Sequence, residues 1–89
     1  SNFTNHLYHL SEKWLNEADL PNNLLHPLID ETIRKMKEMG AYISQTGPAV
    51  RGDLKTISRH LDEIGADEEL KQIYETLTKH IAKAHGTKL

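Results

Sequence analysis

The residues best suited to chemistry stand close together, in Gln45-Thr46-Gly47-Pro48-Ala49-Val50-Arg51-Gly52-Asp53 and at His60. Arg51 offers a planar fork of donors that matches a carboxylate or phosphate. Glycines ahead of a helix start leave unpaired N–H groups free to meet an anion. The same pattern also describes a rigid helix–helix connection in which Arg51 pairs with a local acid. His60 follows Asp53 by almost two turns of about 3.6 residues each, so both point the same way, with Thr56 between them. Bordering the apolar stripe, His60 is expected to be half-buried. It is a candidate proton donor, since imidazole titrates near neutrality. It is equally suited to a structural hydrogen bond with the preceding loop.

Other patterns lead nowhere. Gly47 and Gly52 have the glycine spacing of a phosphate-binding P-loop, but Asp53 and Leu54 stand where Lys and Ser/Thr belong, and no buried strand precedes them. No G-x-G-x-x-G is present, so the chain cannot hold a dinucleotide by itself in the Rossmann manner. Arg51-Gly52-Asp53 spells a cell-adhesion tripeptide, too little information to use, and Asp53 serves better as a helix cap. His6 and His9 lie one turn apart, and His80 and His85 flank the last turns. Zinc needs three or four ligands with an orienting shell, so no metal site is expected. Absence of cysteine excludes disulfides, a thiolate nucleophile and Cys-based zinc sites.

These residues must be positioned by helices. Eighty-nine residues suit one domain, and a composition 37% hydrophobic, 27% charged and 6% aromatic suits a helical chain. Net charge is −2, with no basic surplus for nucleic acid or anionic membrane. No apolar run approaches the roughly 20 residues that span a bilayer, and none resembles a secretory signal. The chain begins at Ser1 and not Met, which suggests a processed or excised segment, with Ser1 and Asn2 candidates for a cloning remnant.

Apolar periodicity predicts four helices, at about 2–18, 23–39, 53–64 and 67–85. The first carries Phe3, Leu7, Leu10, Trp14, Leu15 and Ala18 and stops at Asp19-Leu20-Pro21-Asn22-Asn23. The second carries Leu25, Leu28, Ile29, Ile33, Met36 and Met39, with Asn22 or Asn23 as cap, Pro27 in its first turn and Gly40 as its stop. The third opens on Asp53 and carries Leu54, Ile57, Leu61 and Ile64 before Gly65. The fourth opens on Asp67 and carries Leu70, Ile73, Tyr74, Leu77, Ile81 and Ala84 before Gly86. Residues 41–52 read as a structured loop; Ala41-Tyr42-Ile43 is strand-like but has no strand to pair with. Asn2 and Asn5 head the first helix, as caps or as amides reaching a ligand. A chain this short gains little net stability from its own core, so a second copy or another domain is expected to supplement it.

The strings NFTNHLY (2–8), LIDETIRKM (28–36) and QTGPAVRGDLKTISRHL (45–61) carry a resemblance. The chain resembles the C-terminal helical domain, itself of unknown function, of bacterial NADP-dependent oxidoreductases in which it follows a Rossmann-like domain. The fold is similar to the C-terminal domain of 6-phosphogluconate dehydrogenase, with pyrroline-5-carboxylate reductase and deazaflavin-dependent NADP reductases as more distant kin. Its most specific part is TGPAVRGD followed by His60.

The resemblance implies an all-α, four-helix bundle-like domain that closes over a small-molecule substrate and supplies most of a homodimer contact. It implies NADP or NAD held by the Rossmann-like domain in cis, none by this chain, and a cytoplasmic setting. Carried onto matching positions, it makes Asn2, Thr46, Gly47, Pro48, Arg51 and Asp53 substrate-binding candidates. Arg51 is then the anion holder, the Thr46 hydroxyl a substrate hydrogen bond, and His60 the catalytic proton donor. By itself this segment is expected to catalyse nothing. The rival expectation is a non-catalytic helical protein–protein interaction module, with TGPAVRGD as a mere connector.

Overall fold

The computed structural model describes all residues from Ser1 to Leu89. The chain is all-helical: α1 (Asn2–Glu17), α2 (His26–Met39), α3 (Ala41–Ser44), α4 (Pro48–Arg51), α5 (Leu54–Ile64) and α6 (Glu68–Ala84), with no strand. Four of these are the helices that periodicity predicts. The segment 41–52 differs from the expected loop, because α3 and α4 are single helical turns within it. Ala41-Tyr42-Ile43 is helical and not strand-like: the Ser44 N–H and hydroxyl both donate to the Gly40 carbonyl, at 3.2 and 2.9 Å. The helices fall into two compact units, Ser1–Ser44 and Gln45–Leu89.

In the first unit, α1 ends in a left-handed turn at Asp19 (φ 57°). Leu20 N–H donates to the Leu15 carbonyl at 2.8 Å and Asp19 N–H to Asn16 at 3.1 Å, the two bonds of a Schellman cap. α2 starts later than predicted. Its N-cap is Leu25, and no side chain caps it. Asn22 and Asn23 belong to the connecting turn, where the Asn23 carbonyl accepts from His26 N–H at 3.1 Å. Pro27 in the first turn has no N–H to satisfy, which reduces the need for a cap. Only Leu15 is buried on α1, and nothing is buried on α2. Phe3 is 81%, Leu28 62% and Trp14 48% exposed. Spacing shows which apolar residues share a face; it does not show what covers that face.

The second unit is better closed. α4, α5 and α6 touch one another, and Ala49, Ile57, Thr78 and Ala82 are buried among them. Asp53 caps α5 and Asp67 caps α6, each accepting a backbone N–H three residues on. Glu68 and Glu69 in the first turn of α6 and Lys83 in its last turn complement the helix dipole. A second Schellman cap closes α6: Thr87 N–H donates to Ala82 at 2.8 Å and Gly86 N–H to Lys83 at 3.3 Å.

The accessible surface is 7089 Å². Two separate compact bodies, each of half this mass, would together expose only about 6,400 Å². The surface is thus larger than compact packing gives, and exposed large apolar residues such as Phe3, Leu28 and Leu54 are part of it. No helix is long and apolar enough to cross a membrane.

Candidate functional site

Thr46, Gly47, Pro48, Arg51, Asp53 and His60 all lie in the second unit, on or beside α4 and the start of α5. The turn is built from backbone constraints. Gly47 (φ 110°) precedes α4 and Gly52 (φ 68°) ends it, both in the region that side-chain-bearing residues avoid. Asp53 N–H closes the turn on the Pro48 carbonyl at 2.9 Å. The cap at Gly86 then directs Thr87 back to this turn, where its hydroxyl donates to the Val50 carbonyl at 2.8 Å. A Cβ on Gly52 would meet Thr87 Cγ2 at 3.3 Å, so the glycine also makes room for this latch.

Arg51 projects from the turn with its side chain 58% exposed. Its Nη2 lies 3.4 Å from Asp53 Oδ2, longer than the ~2.7–2.9 Å of a strong charge-assisted pair. The local ion pair anticipated as the bland alternative is thus present, but it is loose and solvent-screened.

Asp53 is committed more firmly. Its Oδ1 accepts the Thr56 N–H at 3.1 Å and its Oδ2 the Thr56 hydroxyl at 2.7 Å. These bonds, the hydroxyl first, hold its carboxyl below the usual carboxylate range, and Arg51 adds less. The expectation of a helix N-terminus open to an external anion is therefore corrected: the anion at the start of α5 is the Asp53 carboxylate itself.

A pH dependence follows. A depressed native pKa means the cap's stabilisation is complete above the unfolded value of about 3.9 and is lost as pH falls through the native value. Asp53→Ala should lower the melting temperature near neutrality, and the gap from wild type should close in acid. Thermal melts followed by circular dichroism test this. A gap that persists undiminished in strong acid would show that the carboxylate charge is irrelevant.

His60 is half-buried, as its position beside the apolar stripe suggests. Its partner differs from the preceding loop envisaged. Nδ1 lies 2.8 Å from the Tyr74 hydroxyl of α6. Thr46 is exposed, and Gly47 and Pro48 are half-buried. Asn2 is the first residue of α1 in the other unit, exposed, with Ser1 and not Asn2 as the N-cap. A hollow of about 590 Å³ lies in the first unit, and of the polar residues the sequence nominates for a ligand only Asn5 lines it. It is bordered by Tyr8, Glu12 and Leu15 of α1 and by His26, Ile29 and Asp30 of α2. His6 and His9 approach at 6.0 Å between ring centroids, and no cluster of three His, Cys, Asp or Glu could hold a metal ion.

The fold has a solved counterpart. A crystal structure of a "putative NADP oxidoreductase" from Bacteroides fragilis superimposes with a TM-score of 0.88 at 41% identity, over 93% of this chain and 32% of that one. The chain thus spans about a third of that protein. No curated protein matches. The family signature described as "Domain of unknown function (DUF2520)" covers residues 1–81, nearly the whole helical array, and the chain therefore belongs to that family.

Proposed function

We propose that this chain is the substrate-binding and dimerisation domain of a cytoplasmic NAD(P)-dependent oxidoreductase. The observation that carries the reading is the close match of nearly the whole chain to a third of the structure described as a "putative NADP oxidoreductase". The residues here do not fit the cofactor: six helices, no strand and no glycine-rich turn after a strand offer no cradle for a dinucleotide. NADP or NAD is therefore assigned to a Rossmann-like domain in cis, and the hydride chemistry belongs there. What this chain supplies is an anion holder in Arg51, whose loose pair with Asp53 is readily displaced by a ligand carboxylate or phosphate. His60 supplies the proton and Thr46 a hydroxyl contact, while Gly47, Pro48 and Asp53 shape the turn. Asn2 is a further substrate contact. The exposed faces of α1 and α2 are the surface for a second copy.

The test uses the full-length protein. NADPH should bind, and residues 46–60 should gain protection from hydrogen exchange when it does. Binding without protection in that segment would remove it from the nicotinamide cleft. A second reading, an interaction module without a catalytic role, draws on one observation: the 590 Å³ hollow is lined by none of the candidate substrate residues. Failure of the full-length protein to bind either nicotinamide cofactor would favour it.

A further inference from the structure

α5 and α6 meet through a polar contact as well as an apolar one. His60 Nδ1 lies 2.8 Å from the Tyr74 hydroxyl. The two rings stand edge to face, their centroids 5.7 Å apart and their planes at 85°. Tyr74 falls in the apolar stripe of α6, where packing alone would explain an aromatic ring. Packing does not explain a hydroxyl aimed at one imidazole nitrogen. Thr78, one turn further along α6, is 8% exposed and lies against the same phenol. Burial pushes the Tyr74 phenol up, and a hydrogen bond from the Thr78 hydroxyl draws it back. The phenol keeps its proton near neutrality, and Nδ1 at 2.8 Å is an acceptor within its reach.

The two ring nitrogens of a histidine are not equivalent, and the bond made by one decides the state of the other. We propose that Tyr74 is a positioning residue for His60: its hydroxyl donates to Nδ1 and fixes the Nε2–H tautomer, and as Nε2 gives its proton to substrate the Tyr74 proton moves onto Nδ1, leaving a neutral ring and a phenolate that solvent reprotonates. This rests on the reading of His60 as proton donor. The function of the pair is orientation. With Nδ1 tethered across the helix–helix contact, the ring is restrained in χ angle and its outer nitrogen is held in one direction. An untethered half-buried histidine would sample both tautomers.

The experiment is nitrogen NMR of the full-length protein labelled at histidine, recorded well above the ordinary histidine titration range. It is paired with steady-state kinetics of wild type and Tyr74→Phe. Wild type should show the His60 proton on Nε2. Tyr74→Phe retains the ring and its packing, so the helical spectrum should persist while His60 becomes a mixture of tautomers. The expected kinetic signature is a fall in kcat of about tenfold with KM unchanged, in line with the loss of a group that orients a functional histidine.

A wild-type proton on Nδ1, or a tautomer ratio unaffected by Tyr74→Phe, would overturn the positioning role. The wild-type spectrum alone decides the first point, even if the variant were to unfold. A tautomer shift without any change in kcat would place the failure elsewhere. The geometry would stand, and the assignment of His60 as proton donor would fall.

Discussion

Leu28→Asp should convert the full-length protein from dimer to monomer at micromolar concentration. Leu28 is 62% exposed on a helix that buries none of its own residues. Together with Phe3, Trp14, Ile33, Met36 and Met39 it belongs to apolar surface that the chain itself leaves uncovered. In a two-fold symmetric dimer each substitution acts twice, because the same patch appears on both subunits. An aspartate in a desolvated apolar contact loses water without gaining a partner. Loss of a central anchor costs about 2 kcal/mol or more per site, about 4 kcal/mol over two sites, so the dimer dissociation constant should rise by about a thousandfold. Sedimentation measures it. A wild-type protein that is monomeric and fully helical would refute the dimer outright. A Leu28→Asp dimer as tight as wild type would exclude α2 from the contact.

On the proposed function, Arg51→Ala should lower kcat/KM of the full-length protein by about one to two orders of magnitude, the loss of one charge-assisted hydrogen bond of about 1.5–3 kcal/mol. The helical spectrum should be unchanged, since the side chain is 58% exposed and its bond to Asp53 is long. Arg51→Lys should recover only part of the loss, because an ammonium keeps the charge but not the planar fork. Unchanged kinetics would take Arg51 out of the cleft.

Much of the local architecture was legible from residue types. Asp53 and Asp67 cap the helices they were expected to cap, and Gly40 and Gly65 stand at the predicted stops. These features depend on a few neighbouring residues, so they can be read without knowing the fold. α4 was not legible, because Pro48-Ala49-Val50-Arg51 is too short for a period and is set by two glycine φ angles and a bond from distant Thr87. The partner of His60 was hidden for a related reason. Tyr74 is on another helix, and spacing within one helix carries no information about its register against the next. The apolar stripes were read as shared faces, yet on α1 and α2 most of their residues are exposed. For the site, type and proximity could nominate Arg51, Asp53 and His60. That Asp53 is taken up by Thr56 became clear only with the geometry.

The single turn of α4 has one more consequence. Four residues have no helical stability of their own in water, yet here the turn is clamped between two glycines in left-handed torsions and tied to Thr87. Its shape is held by contacts within the chain itself. On the proposed role of Arg51, an incoming anion would meet a guanidinium on an already shaped backbone, and its affinity would not be diminished by the entropy of freezing a loop.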